Sequence, residues 1–172
     1  MQLLKKRILA LPNRAEAYEL LKAFESLFNT QCLTAANFVT GAGATIATGN
    51  AINAVVVGVL GAKASGSTFA MTGPSIPNSG ANCQAWIFAM DAAGNSFTFP
   101  GVPAASIALV TLPTVPELAP TAPFMPLVVV GSAIMVNTST GAFVPGTTAT
   151  NTASLGLTLN STVGPFFPIQ VL

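Results

Sequence analysis

Residues 29–172 contain three charged side chains, Lys63, Asp91 and Glu117, whereas residues 1–28 contain eight: Lys5, Lys6, Arg7, Arg14, Glu16, Glu19, Lys22 and Glu25. An ordinary soluble domain carries charge at about a quarter of its positions. The chain therefore divides into a charged segment, 1–29, and a nearly uncharged domain, 30–172. The surface of that domain must be built from Thr, Ser, Asn and Gly or be covered by other protein. At 172 residues the chain fits one domain with an appendage.

Such apolarity raises the question of a membrane, because 51% of the residues are hydrophobic and the mean hydropathy is +0.66. The apolar residues are not contiguous, however. The longest runs are Ala51–Leu60, Ile107–Leu112 and Leu127–Val136, all short of the roughly 20 residues that a spanning helix requires. This pattern excludes a transmembrane helix. The net charge of +1 gives no electrostatic reason to expect nucleic acid.

Histidine is absent, which removes the commonest general base, the commonest metal ligand and every Ser-His or Cys-His nucleophile pair. Asp91 and Glu117 are the only carboxylates after residue 29. Asp91 falls in a turn sequence and Glu117 in a proline-rich stretch, so both are read as turn or surface residues. Cys32 and Cys83 have neither zinc-ligand spacing nor a neighbouring base and are expected to be free, buried thiols. Gly41-Ala-Gly43 and Gly58-Val-Leu-Gly61-Ala-Lys63 lack the remaining residues of nucleotide-binding loops. No cofactor and no metal is expected, and the chain is read as non-enzymatic.

The segment Asn13–Asn29 reads as one amphipathic helix. Asn13 can cap it with Glu16 three residues later, and Ala17, Leu20, Leu21, Phe24, Leu27 and Phe28 fall on one face opposite Glu19, Lys22 and Glu25. That apolar face either packs on the chain's own domain or docks on a partner or on copies of itself. The partner-binding candidates are Leu20, Leu21, Phe24, Leu27 and Phe28. After Lys5-Lys6-Arg7 the apolar stretch Ile8–Leu11 is shorter than a signal peptide's core, so synthesis in the cytoplasm without secretion is expected.

From Thr30 onward, repeated Gly and Pro punctuate short runs of Val, Ile, Phe and Thr. Strands are predicted at 51–60, 84–90, 96–99, 106–112, 127–137, 141–144 and 155–159. The residues 86–99, with Asp91-Ala-Ala-Gly94-Asn95 at their centre, predict a hairpin, and 134–144 predicts a second. The five prolines within 112–126 predict a fixed extended crossover. Trp86 is read as a core residue. Thr147, Thr148, Thr150 and Thr152 with Asn151 form either a polar ladder or a solvated loop. The expected fold is mainly β, an antiparallel β-sandwich of jelly-roll type preceded by the N-terminal amphipathic helix.

Several of these signatures occur in a recognisable order: Asn53-Ala-Val-Val-Val-Gly58-Val-Leu60, Asp91-Ala-Ala-Gly94, Leu112-Pro113-x-Val115-Pro116, Met125-Pro-Leu-Val-Val-Val130 and Gly141-Ala-Phe143-Val-Pro145-Gly146-Thr-Thr148. Over roughly residues 45 to 165 the chain resembles a β-rich domain of virion structural proteins of tailed bacteriophages. The resemblance implies a capsid decoration, cement or head-fibre protein in the virion, assembled as a symmetric oligomer, with a homotrimer favoured, on the major capsid protein or another virion protein. The scarcity of charge supports self-association independently, since it keeps a monomer soluble only weakly. A tail or fibre adhesin that holds a host glycan on polar Thr, Asn and Ser loops is the alternative. With Trp86 and Tyr18 as its only Trp and Tyr, the chain lacks an aromatic platform for sugars.

Overall fold

The run Cys83–Met90 is apolar at nearly every position, without the polar alternation of a half-exposed strand, and it becomes a strand buried along its whole length. It stands inside a four-stranded sheet in a computed structural model that describes residues 30–41, 43–113, 127–152 and 155–164. The chain is mainly β. Its strands are β1 (Gln31–Cys32), β2 (Phe38–Thr40), β3 (Thr45–Thr48), β4 (Ile52–Val56), β5 (Val59–Lys63), β6 (Thr68–Ala70), β7 (Cys83–Met90), β8 (Ser96–Pro100), β9 (Val128–Asn137) and β10 (Leu155–Ser161). They form three sheets in the orders β10-β9-β7-β8, β1-β4-β5 and β2-β3-β6. All pairings between these strands are antiparallel.

One hydrophobic core joins the three sheets. Cys32, Ile52, Ala54 and Val56 come from the first small sheet, Phe38, Ile46 and Phe69 from the second, and Trp86, Phe88, Met90, Ala133 and Met135 from the large one. At its centre the rings of Phe38, Phe69 and Phe88 meet with centroids 5.0 to 5.5 Å apart. Burying a phenylalanine is worth about 1.5–3 kcal/mol, and an aromatic pair adds about 0.5–1.5 kcal/mol through its ring geometry. Trp86 is fully buried, as expected of a core residue, with its Nε1–H donating to the Thr72 carbonyl at 2.8 Å. Its ring meets Phe143 edge-on at 6.4 Å.

The pairing of β7 with β9 shifts register between Phe88 and Ala89. Phe88 faces Gly131 and Ala89 faces Val129, so Val130 is the extra residue of a β-bulge. A Cβ on Gly131 would collide with the Phe38 ring and with the Asn160 carbonyl. Glycine at this position is what lets the aromatic cluster lie directly against β9.

The predicted hairpin at 86–99 is present: β7 and β8 pair from Trp86↔Pro100 to Met90↔Ser96. Three other expectations need correction. The apolar run 51–60 is not one strand but most of a hairpin, in which Val56 pairs with Val59 across Val57-Gly58. Both central residues have positive φ, 49° and 79°, as a type I′ turn requires. The run 106–112 forms no strand and carries one 3-10 turn, Ile107–Leu109, in an exposed stretch. The second hairpin does not form either, because β9 returns to β10. In place of a strand at 141–144 there is a single bridge between Ile76 and Phe143. The N-terminal helix and most of the proline-rich crossover lie outside the described residues.

Candidate functional site

Two charged side chains occur among the described residues, and both serve the same turn. The turn Asp91–Asn95 joins β7 to β8, and Asp91 is bound to its far end. Its Oδ1 accepts the Asn95 backbone N–H at 2.9 Å and its Oδ2 accepts the Asn95 amide at 2.7 Å. Burial raises the Asp91 pKa, but hydrogen bonds from the Asn95 side chain and the backbone of Asn95, Ala93 and Gly94 outweigh it and hold the carboxyl below its usual range. From β5, Lys63 Nζ donates to the Gly94 carbonyl at 2.9 Å and lies 5.5 Å from the centre of the Phe69 ring. The ammonium thus ties the edge of the small sheet to the turn of the large one. Gly61 and Ala62 of β5 are pressed against Ala92 and Gly94 of that turn.

The carboxylate and the lysine are therefore committed to structure. Glu117 lies outside the described residues. Cys32 and Cys83 are free and buried. Burial pushes the Cys32 thiol up, and a hydrogen bond with the Thr34 backbone offsets this in part. Among the described residues no group of three or more His, Cys, Asp or Glu stands where it would hold a metal ion. No helix among them is long and apolar enough to cross a membrane.

The threonines at 147–152 form no ladder. Thr150 is buried and its hydroxyl accepts the Gly41 N–H at 3.2 Å while the carbonyls of Thr45, Gly41 and Gly43 stand 2.9, 3.1 and 3.3 Å away. It closes the 41–45 loop onto the rest of the domain. Asn137, also buried, works in the same way at the end of β9. Its Nδ2 lies within hydrogen-bonding reach of the carbonyls of Ile76, Pro77 and Gly141, and its Oδ1 accepts the Ser139 N–H and hydroxyl. Nothing in the composition distinguishes these two polar side chains from their exposed neighbours. Each gains its most distant partners only when the fold brings them to it.

What remains open to a partner is an apolar surface. On the β1-β4-β5 sheet, Cys32 and Ala54 point into the core, so alternation sends Leu33 and Val55 to the opposite face. Val55 pairs with Leu60. Cys32 and Gly164 exchange both backbone hydrogen bonds, which places Leu33 opposite Val163. Val163 and Leu33 thus form one cross-strand pair on this face and Val55 and Leu60 a second, two residues further along, with the uncharged Gln31 opposite Val55 and with Asn53 and Ala62 in line with Leu33. Beside them, the first described residue, Thr30, accepts the Val57 N–H on its hydroxyl at 3.0 Å.

No protein-family model matches the chain, and neither a curated protein nor a solved structure matches it. The predicted partner-binding residues Leu20, Leu21, Phe24, Leu27 and Phe28 lie outside the described residues, so the structure does not bring them together with anything. The exposed patch on the β1-β4-β5 sheet was missed by sequence reasoning, which read 51–60 as one strand. The available signal was Val57-Gly58: a two-residue turn there puts Val55 and Leu60 on the same face.

Proposed function

We propose that this protein is a non-enzymatic virion structural protein of a tailed bacteriophage, a capsid decoration, cement or head-fibre protein that assembles as a homotrimer. The strands belong to an antiparallel β-sandwich of jelly-roll type, with the β10-β9-β7-β8 sheet as one layer and the two smaller sheets as the other. Residues 1–29, with the apolar face Leu20, Leu21, Phe24, Leu27 and Phe28, attach the oligomer to the major capsid protein or another virion protein. The chain is made in the host cytoplasm and ends in the particle.

One observation carries this reading: the domain has a single lysine and a single aspartate among its described residues, and both hold one turn, Asp91 within it and Lys63 from β5. A surface so poor in charge is weakly protected against association, and a structural subunit in a closed assembly has no need of that protection. Burying several apolar helix side chains contributes several kcal/mol at about 25 cal/mol per Å². Association and ordering costs reduce that sum for one copy, and three linked copies recover it through multivalency.

The test is particle association. Purified particles should contain the full-length chain at fixed stoichiometry, and a chain lacking residues 1–29 should remain folded by circular dichroism yet be missing from them. Normal occupancy by the truncated chain would sink the attachment role. Absence of the intact protein from particles, together with specific retention on a glycan array, would replace the reading with a host-glycan adhesin.

A further inference from the structure

Leu60, Val163 and Leu33 are 67%, 58% and 43% exposed on the outer face of the β1-β4-β5 sheet. The register makes them two staggered pairs, Val163 with Leu33 and Val55 with Leu60, in a patch about 14 Å across at the strand spacing of a sheet. On the opposite face of the same strands Cys32, Ile52, Ala54 and Val56 are buried in the core, with Val59 exposed near the hairpin tip.

We infer that this face is where copies of the chain meet, an inference that rests on the oligomeric reading above and specifies its interface. Charge identifies the occupant. Among the described residues the patch contains no ionisable group, and Lys63 on β5 has its ammonium drawn to the Gly94 carbonyl and the Phe69 ring. A partner with an ordinary charged surface would strip water from its own charges on docking here and find nothing to pair them with. A second copy brings an equally uncharged face, so no charge among the described residues of the patch is desolvated on either side. Around a symmetry axis each patch packs against its counterparts.

The position of the chain entry fits the same arrangement. Thr30 is held to Val57 at the tip of the β4–β5 hairpin, so residues 1–29 join the domain beside this face. Copies that meet here bring their charged, amphipathic N-terminal segments to one side of the assembly, where several can engage a shell together. Pairing through the edge of β5 is a different matter. The turn Asp91–Asn95 crowds Gly61 and Ala62, which leaves the face rather than the edge as the surface for a neighbour.

The experiment is analytical ultracentrifugation of the full-length protein and the double variant Leu33→Asp/Leu60→Asp at micromolar concentration. Both positions are exposed, so the fold should persist by circular dichroism, while association weakens by roughly a hundredfold or more and the variant sediments as a monomer. The control is Val102→Asp/Leu109→Asp, which puts the same charges on exposed apolar positions elsewhere and should leave the oligomer intact. A wild-type monomer would overturn the oligomeric reading itself. A wild-type oligomer that persists in the Leu33/Leu60 variant, or dissociates equally in the control, would overturn only this interface. Should the double variant fail to fold, Ala62→Cys decides. With Cys32 and Cys83 buried, a long bismaleimide should link copies through the new thiol, and a failure to link them in a sample that sediments as an oligomer would reject the face.

Discussion

The side-chain amide of Asn137 donates to the carbonyl of Ile76, 61 positions earlier in the chain, at 2.9 Å. With its further contacts to the carbonyls of Pro77 and Gly141 and to Ser139, it joins the end of β9 to the loop that follows it and to the distant 76–77 segment. Asn137→Leu would remove this whole set of hydrogen bonds, although the Ile76 carbonyl keeps the Phe143 N–H and the Gly141 carbonyl keeps the Ser139 hydroxyl. The expected loss is about 1–3 kcal/mol, because each hydrogen bond contributes about 0.5–1.5 kcal/mol net. Urea denaturation checks it, and a shift smaller than that of a surface substitution would show that water replaces the amide.

Gly131 faces Phe88 across the sheet and leaves no room for a side chain, since a Cβ would meet both the Phe38 ring and the Asn160 carbonyl. Gly131→Ala should destabilise by about 1–3 kcal/mol, the range of overpacked cores. Thermal unfolding measures this. Combining Gly131→Ala with Phe38→Leu should recover part of the loss if the ring is the obstacle, whereas no recovery would assign it to the Asn160 carbonyl.

Val57 presents the opposite case, a residue that the sequence could improve. A β-branched side chain at φ 49° bears a left-handed strain of roughly 1–2 kcal/mol, and the first position of a type I′ turn favours Asn. Val57→Asn keeps the N–H that donates to Thr30 and should stabilise the fold by about 1 kcal/mol, read as a higher denaturation midpoint at unchanged slope. An unchanged or lower midpoint would mean that Val57 makes contacts worth as much as its strain.

Asp91 gives the domain a pH dependence of known sign. Its hydrogen bonds hold the folded pKa below the unfolded value, so the stabilisation is present above the unfolded pKa of about 4 and is lost as the pH falls through the lower folded value. Stability curves of the wild type and Asp91→Asn should run parallel above about pH 5 and converge below about pH 4. The carboxylates of residues 1–29 titrate in both proteins and cancel in the difference. Curves that stay parallel to pH 2 would remove Asp91 from the acid response.

How much of this was legible in the sequence depended on side-chain contrast. The strands 83–90, 96–100, 128–137 and 155–161 were readable because Ile, Val, Phe, Trp and Leu concentrate in them between turn residues. Short strands such as Phe38–Thr40, Thr45–Thr48 and Thr68–Ala70 were not, because Ala, Thr and Ser serve equally in strand and loop and only cross-strand pairing distinguishes them. The hairpin at Val57-Gly58 was hidden by its valine, which normally argues against a turn. The run Ile107–Leu112 misled in the other direction, being apolar yet exposed at Ile107, Leu109 and Leu112. The clamp at Thr150 depends on the distant carbonyls of Gly41, Gly43 and Thr45, and the Asn137 clamp adds Ile76 and Pro77 to its local contacts with Ser139 and Gly141, which no local pattern records in full.

The placement of β7 inside the large sheet also has a consequence for the order in which the protein can be made. Its partner β8 follows within ten residues, so the hairpin can close as soon as Pro100 has been synthesised. Its other partner, Val128–Asn137, arrives only after a further segment rich in proline. Until then a growing chain holds an eight-residue apolar strand with one row of backbone donors and acceptors unpaired. A neighbouring nascent chain offers the same row. Rapid, crowded synthesis therefore sets the folding of each molecule in competition with strand exchange between molecules, and slower translation between Pro100 and Val128 would prolong the exposure rather than relieve it.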